Sequence, residues 1–313
     1  MNLISSKDRI PTEPDPAFAE ILGEVSADNL RTFVNMLAFP RHYFAENEAN
    51  RRARDLLLQT AKDFGYQPRV QGDFDNVVLT AANSSNEPFL LLGAHYDTVP
   101  RTPGADDNAS AVAVCLECAR LIARHQISSV MIVLFNREED GFLGSSEFVA
   151  HLTGPAGLSI REAHIFEMVG YRDRAPGSQK LPAGLPPLRS PDTGDFLALL
   201  ANSRSNALAE KLVDLARCYI PQSPVLALKI YLGLEKIFGD LNRSDHAPFW
   251  QAGIPAIMWT DTAEFRNPNY HLPSDTPETL DYDFMADIAK LALARVLSAA
   301  ASRADGLVEK RCR

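Results

Sequence analysis

The chain has little of what marks several specialised classes of protein. Its four cysteines among 313 residues are too few and too scattered for a disulfide framework. It has no run of about 18 apolar residues, which argues against a membrane span. Residues 1–16 lack an apolar stretch of secretory length, which favours a cytoplasmic protein. No basic stretch offsets the net charge of −9, so nucleic acid is not an expected partner.

Two of the cysteines, Cys115 and Cys118, have C-x-x-C spacing and need a separate interpretation. They lie within ASAVAVCLECARLIARH, whose apolar spacing predicts the interior of a helix. A redox pair would lie at the start of a helix, and a zinc ribbon would need a second pair. We therefore interpret both thiols as packing residues.

The chain does contain an alternation of apolar strands and helices. Apolar residues make up 46% and charged residues 23%, as in ordinary globular proteins. The predicted strands are NVVLTA, PFLLLGAH, VMIVLFN, AHIFEM, DFLALLA and IPAIMWT, and helical patterns fall at 108–125, 143–152, 203–217 and 283–302. This order predicts an α/β fold with a central, mostly parallel mixed β-sheet and helices on both faces.

The predicted organisation is one domain with two special segments. Residues 1–24 are rich in proline and charge and are expected to form an N-terminal arm, so that the domain covers 25–313. Residues 171–194 are dense in proline and glycine and too long for a simple connector. Because they follow a strand directly, they are a candidate lid or pocket wall; a flexible surface insertion is the alternative.

Polar residues follow the predicted strands at the edge where open α/β sheets bind ligands. They are His95 and Asp97 after the second strand, Glu138 and Glu139 after the third, Glu167 after the fourth, Asp107 in PGADDNASA, and His271 late in the chain. Imidazole and carboxylate ligands without thiolate suit Zn²⁺, with Mn²⁺ or Co²⁺ as substitutes. We therefore predict a metal site at this edge.

The segment NREED concentrates charged side chains directly after an apolar strand, and this concentration needs an explanation. Glu138 and Glu139 repel each other, and a buried carboxylate is costly unless it is paired, protonated or bound to metal. In His-x-Asp, Asp97 can accept the second ring N–H of His95 and fix its tautomer. Both patterns favour a reaction centre over a solvated loop.

The order of these motifs resembles the co-catalytic zinc aminopeptidase family, which also contains the glutaminyl cyclases. The motifs are His-x-Asp, G-A-D-D-N-x-S, E-E-x-G-x-x-G-S, an acid before M-V-G, and a late histidine. The segment SDHAPFWQAGIPAIMWTD also resembles the family's penultimate helix and strand. The similarity runs from about Asn29 to Asp283 and makes 25–313 a zinc-peptidase catalytic domain.

The resemblance implies one or two zinc ions and a set of ligands. His95, Asp107 and Glu167 would bind one ion, and Asp107 would bridge to a second ion held by Glu139 and His271. Family members usually have Asp at the position of Glu167, whose extra methylene adds about 1.5 Å of reach. Whether both metal sites are filled stays open.

The resemblance also implies the catalytic roles. Glu138 would act as general base and then as general acid, while a metal lowers the pKa of the attacking water. Asp97 would orient His95. The predicted enzyme is a zinc metallopeptidase, an aminopeptidase-like hydrolase of short peptides or aminoacyl amides. The alternatives are a glutaminyl-cyclase-like aminoacyltransferase and a metal-poor binding or scaffold protein of the same fold. The residue preference and the oligomeric state are not predicted.

Three further residues are candidates for substrate binding. Arg266 has a guanidinium suited to a carboxylate or carbonyl, and Asp245 and His246 precede the last predicted strand. For His246 the specific hypothesis is donation to the oxyanion of the reaction. A structural role is the alternative for each residue.

Overall fold

The sheet contains all six predicted strands and three that were not predicted. The computed structural model describes residues 1–81, 88–152, 158–184 and 190–311, with side chains described up to residue 303. The strands in these ranges are β1 (Asn2–Ser5), β2 (Arg69–Gln71), β3 (Asn76–Thr80), β4 (Phe89–His95), β5 (Val130–Phe135), β6 (Ile160–Glu167), β7 (Leu197–Ala201), β8 (Val225–Lys229) and β9 (Ala256–Thr260). Two of the three additional strands, β1 and β2, have only four and three residues, which is too short for a clear period.

The strands form one mixed sheet in the order β1-β8-β7-β9-β6-β4-β5-β3-β2. Among the described residues, the pairs β9–β6, β6–β4, β4–β5 and β7–β8 are parallel. The other four pairs are antiparallel and lie toward the edges and between β7 and β9. The predicted α/β domain with a mixed sheet is confirmed, and half of its eight pairings are parallel.

Helices cover both faces of the central strands. They are α1 (Pro16–Leu22), α2 (Ala27–Leu37), α3 (Asn47–Asp63), α4 (Ala111–Arg124), α5 (Leu143–Leu152), α6 (Asn206–Tyr219), α7 (His246–Gln251) and α8 (Tyr282–Arg311). Side chains alternate across a strand, so Leu90 and Leu92 of β4 join the core on the side of α2, α4 and α8, whereas Leu91 packs with α5 and α7. No helix in the described ranges is long and apolar enough to cross a membrane.

Two predicted helices start later than expected. The predicted helix at 108 begins at Ala111, because residues 105–110 form an irregular turn that carries Asp107. The predicted helix at 203 begins at Asn206. Cys115 and Cys118 are fully buried in α4, in agreement with the packing interpretation.

The two special segments pack against the sheet. Within residues 1–24, β1 adds an edge strand to β8, and α1 contacts α8. In the described part of 171–194, Asp173 bridges to Gly194, and the Lys180 N–H donates to the Phe265 carbonyl (2.8 Å). Residues 179–182 and 190 line a cavity, so this part of the segment forms one wall of that cavity. Residues 185–189 lie outside the described residues.

Candidate metal centre

Parallel pairing brings the predicted site together at the carboxyl ends of three central strands. His95 is the last residue of β4, and the register places it opposite Phe135, the last residue of β5. The NREED turn therefore starts beside His95. Glu167 ends β6 on the other side of β4.

Asp107 lies between the two histidines and faces each of them with a different oxygen. Asp107 Oδ1 is 3.4 Å from His95 Nε2, and Asp107 Oδ2 is 3.1 Å from His271 Nε2. Glu167 Oε2 lies 3.4 Å from His95 Nε2, and Glu139 Oε2 lies 3.5 Å from His271 Nε2. The result is two groups of candidate ligands that share one carboxylate.

Two observations indicate that these residues could hold metal ions. His95 Nε2, Asp107 Oδ1 and Glu139 Oε1 are buried and have no hydrogen-bond partner among the described residues, whereas buried polar atoms are normally paired. Tetrahedral ligands about 2.0–2.1 Å from zinc stand about 3.3 Å from each other. The observed separations of 3.1 to 3.5 Å have this spacing.

Asp97 is buried and serves both the ligand strand and the NREED turn. Its Oδ1 lies 3.3 Å from His95 Nδ1, on the side of the ring away from the cluster. Its carboxylate also accepts the backbone N–H groups of Glu138 (3.2 Å) and Glu139 (3.3 Å). Asp97 is thus placed to orient His95, a candidate ligand, and it fixes the position of the two glutamates through their backbone.

The turn that carries Asp107 is held from two sides. The Asp275 carboxylate accepts the backbone N–H groups of Asp106 (2.8 Å) and Asp107 (3.1 Å). The Asn108 side chain donates to the Phe166 carbonyl (3.1 Å) and accepts the Met168 N–H (3.0 Å). These contacts tie the Asp107 turn to the end of β6, where Glu167 lies.

The concentration of acids shifts the ionisation of the cluster. Burial raises the pKa of Glu138 well above its usual value; the charges of Glu167 and Glu139 act in the same direction, while that of His95 opposes them. Burial alone would lower the pKa of His95, yet the acids around it, Glu167 and Glu138 foremost, raise it well above its usual value. In the protein alone, negative charge is in excess, which a bound cation would offset.

Two residues that support the cluster, Ser244 and Arg41, were not predicted from the sequence. The Ser244 hydroxyl donates to Glu167 Oε2 (2.7 Å) and so fixes the longer acid at this position. Arg41 is fully buried. Its guanidinium donates to the carbonyl oxygens of Tyr96, Leu37, Phe39, Pro103 and Gly104 at 2.6 to 3.1 Å. Neither residue belongs to a periodic pattern, so no sequence signal pointed to them.

Arg41 joins the end of β4 to the start of the Asp107 turn. Tyr96 lies between His95 and Asp97, and Gly104 precedes the turn. Burial lowers the pKa of Arg41 to about 10, and the nearby charges of Asp97 and Asp275 oppose that shift. The buried cation is thus held by carbonyl oxygens and by the field of the acidic cluster.

Arg137 and Asp140 flank the two glutamates and pair with each other at 2.9 Å. The Arg137 guanidinium also lies 4.5 to 4.9 Å from the ring centroids of Tyr43, Phe44 and Phe74. These contacts hold the first residue of the charged run away from the cluster.

The three candidates for substrate binding lie in buried surroundings. Arg266 donates to Gln179 (3.0 Å) and lies over the Phe196 ring, so it supports the 171–194 segment. His246 Nε2 lies 2.9 Å from the Leu241 carbonyl, and burial lowers the pKa of this imidazole to about 4. Those contacts favour the structural alternative over substrate binding for Arg266 and His246.

Asp245 is fully buried, and neither of its carboxylate oxygens has a hydrogen-bond partner in the described parts of the chain. Burial raises its pKa to about 7; His95 opposes this shift, whereas Glu167 adds to it. Asp245 therefore belongs to the buried acidic surroundings of the cluster and is absent from the lining of the neighbouring cavity.

That cavity adjoins the cluster on the side of β9 and has a volume of about 140 Å³. Glu167 and Tyr270 line it, and the Tyr270 ring stacks on the His271 imidazole with 3.7 Å between centroids. The Tyr270 hydroxyl accepts a hydrogen bond from Arg243 (3.2 Å). A group bound next to the ligands therefore has this cavity beside it.

Comparison with known proteins gives the same family as the motif order. Residues 76–296 match the sequence profile of Peptidase family M28. The chain is 34% identical over 280 residues to the uncharacterized protein YfbL of Escherichia coli, covering 84% of this chain and 79% of that protein. It is 27% identical over 223 residues to the aminopeptidase YwaD of Bacillus subtilis, covering 69% of this chain and 42% of that protein.

The fold agrees with this result. The LapA aminopeptidase of Legionella pneumophila matches it with a TM-score of 0.71 and 22% identity, over 92% of this chain and 75% of that one. The family predicted from the motifs is confirmed. The chain belongs to peptidase family M28 and is a metal-dependent peptidase.

Proposed function

We propose that the protein is a zinc-dependent aminopeptidase that removes the N-terminal residue of short peptides or aminoacyl amides. The observation that carries the proposal is the shared carboxylate of Asp107, placed between His95 and His271 with Glu138 at the edge of the group. Glu138 Oε2 lies 3.9 Å from His95 Nε2. The similarity to a Bacillus subtilis aminopeptidase supports the proposal.

The ligand arrangement supports two zinc ions per chain, one with His95, Asp107 and Glu167 and one with Asp107, Glu139 and His271. Zn²⁺ is the expected ion because the ligands are imidazole nitrogens and carboxylate oxygens, and Mn²⁺ or Co²⁺ would substitute. When bound, zinc supplies the chemistry of a Lewis acid, which polarises the scissile carbonyl and makes a neighbouring water easier to deprotonate.

Glu138 is the proton carrier in this mechanism. Its buried position raises its pKa, so the carboxylate accepts a proton more readily than that of an exposed glutamate. It takes a proton as water attacks the carbonyl carbon and returns it to the amine that leaves. Asp97 keeps Glu138 in place through the backbone, and burial of the site excludes bulk water.

The excess of acids favours a substrate with a free N-terminal ammonium. Five carboxylates, those of Asp97, Asp107, Glu138, Glu139 and Glu167, surround two imidazoles. Two bound Zn²⁺ ions would carry four positive charges against these five carboxylates, so a small negative excess would remain, which attracts a cationic group and repels an anionic one. The N-terminus of a peptide has this charge next to its first amide bond.

The test is hydrolysis of leucyl amide and of short peptides by protein stripped with a chelator and reloaded with Zn²⁺, Mn²⁺ or Co²⁺. We expect turnover only after reloading, with products that gain the mass of water. Loss of ammonia from a peptide that begins with glutamine, without hydrolysis of other peptides, would establish the cyclase alternative. Absence of bound zinc after reloading would favour a scaffold.

A further inference from the structure

One face of the sheet beyond β6 has an apolar strip that is only partly covered. The strand β7 is internal to the sheet, yet its residues Ala198 and Leu200 are half-buried. On the opposite face Leu197 and Leu199 are fully buried in the core cluster that includes α6. The described residues above Ala198 and Leu200 come from loops, and the cavity beside the metal cluster lies between those loops and the strands.

The register shows that the strip starts at a metal ligand. Glu167 pairs with Thr260, Thr260 with Ala198, and Ala198 with Leu226. Residues directly opposite each other on neighbouring strands point to the same face. This first row therefore runs from the end of β6 across β9 and β7 to β8.

A second row continues the strip to the edge of the sheet. Met258 pairs with Leu200, Leu200 with Leu228, and Leu228 with Leu3 of the edge strand β1. All four of these side chains border the same cavity as Glu167. With neighbouring strands about 4.8 Å apart, the four spacings from β6 to β1 amount to about 19 Å.

The cavity is narrow for that length. Its volume is about 140 Å³, and apolar side chains from the loops close its other side, among them Leu181, Leu241 and Phe265. A leucine side chain reaches across no more than one strand spacing, so it would leave most of the length of this cavity unfilled. A longer, straight group would fill it.

We propose that this strip binds a long apolar side chain on the residue that is removed, so that the preferred substrates begin with unbranched residues longer than leucine. The inference rests on the proposed aminopeptidase activity. The side chain would enter beside Glu167, pass over Thr260 and Ala198, and point toward Leu3. Each buried CH₂ then strengthens transition-state binding by the hydrophobic effect.

The test measures kcat/KM of the zinc-loaded enzyme for 4-nitroanilides of L-leucine, L-norleucine, L-2-aminooctanoic acid and L-2-aminodecanoic acid. We expect kcat/KM to rise about fourfold for each added CH₂ beyond norleucine. Ala198→Phe places a ring two strand spacings from β6 and should remove that rise while norleucine is still cleaved. Leu3→Trp lies about 19 Å from β6, beyond the reach of about 10 Å of the eight-carbon side chain, so it should leave the length dependence of the parent unchanged.

Two controls make the result specific. Ala17→Phe introduces the same change at an exposed position of α1 and should leave the length dependence intact. Cleavage of the norleucine substrate by Ala198→Phe shows that this variant is folded. Cleavage of leucine with no gain for longer residues, or a gain that persists in Ala198→Phe, would overturn the inference alone. No cleavage of any member would overturn the peptidase proposal and this inference with it.

Discussion

The two halves of the sheet contribute different things to the site. Charged or ionisable residues lie at or just after the ends of the central parallel strands β4, β5 and β6, and helices cover both faces of these strands. The strands β9, β7, β8 and β1 present an apolar strip that loops cover on one face. On the function proposed above, the ends of the strands would supply the chemistry, and the face of the neighbouring strands would select the substrate.

The halves are also held in place by different forces. Around the cluster, directed hydrogen bonds to Asp97, Asp275 and Arg41 fix each turn, as buried charges require. Along the strip, backbone pairing alone determines which side chains share a row. Changes in the first half should therefore affect metal binding and rate for all substrates, whereas changes in the second should affect substrate choice.

The largest expected effect is that of Glu138→Gln. The amide keeps the size of the side chain and cannot take a proton, so kcat should fall by about 10²- to 10⁴-fold. Zinc content and the order of preference among substrates should stay unchanged, because the ligands and the strip are intact. Steady-state kinetics and metal analysis check this, with Asp140→Asn as the control. A Glu138→Gln enzyme with normal kcat would separate Glu138 from catalysis.

Glu139→Gln should weaken the metal centre itself. The neutral amide is a poorer ligand, and the His271 side of the cluster keeps only Asp107 as an anionic partner. We expect the affinity for one of the two ions to fall more than about 100-fold, with activity partly restored by excess Zn²⁺. Titration with a competing chelator measures the affinity. Equal affinities in Glu139→Gln and the parent would contradict the ligand role.

These two neighbours show what the sequence predicts well. The sequence predicts a site from the adjacent glutamates, His-x-Asp and the late histidine, because charged residues directly after apolar strands have few structural uses. Parallel strands then bring them to one edge without further information. Arg41 and Ser244 are different, since their roles depend on contacts with distant segments. The strip is different again, because Leu3 joins it only through the pairing of β1 with β8.

Arg41→Met changes a residue that is not a proposed ligand but that holds together the two segments carrying proposed ligands. Loss of the guanidinium leaves the carbonyl oxygens of Tyr96 and Gly104 without their buried donor, so the two ligand segments can separate. We expect zinc affinity to fall about 10- to 100-fold, as for other residues that support ligands. The length dependence among substrates should survive in the activity that remains.

Arg41→Lys is the matched variant, because it keeps the charge and loses the fork of donors. An intermediate zinc affinity is expected for it in the same chelator titration. If Arg41→Met lowered only the free energy of unfolding and left the zinc affinity unchanged, Arg41 would be a stability residue without a positioning role.

The smallest effect on activity is expected for Asp245→Asn, and its main signature is the pH dependence of stability. Burial raises the pKa of Asp245 to about 7, above about 3.9 in an unfolded chain. The folded state therefore holds a proton that the unfolded state releases, and this group's contribution to stability is lost as pH rises from about 4 to 7. In metal-free protein, Asp245→Asn should be more stable than the parent by about 1–3 kcal/mol at pH 8 and equally stable at pH 4.

Urea unfolding of metal-free protein at the two pH values measures this difference. The same stability gap at pH 4 and pH 8 would show that Asp245 carries the same charge in both states of the chain. Because Asp245 is absent from the cavity lining, the substrate order should not change.

We propose above that Asp107 joins two metal sites at the ends of the parallel strands. A crystal structure of the zinc-loaded protein, with anomalous data collected on both sides of the zinc absorption edge, tests it most directly. We expect two zinc peaks that share Asp107, one beside His95 and Glu167 and the other beside Glu139 and His271. Zinc bound away from Asp107, or no zinc at the strand ends in fully loaded and active protein, would contradict it.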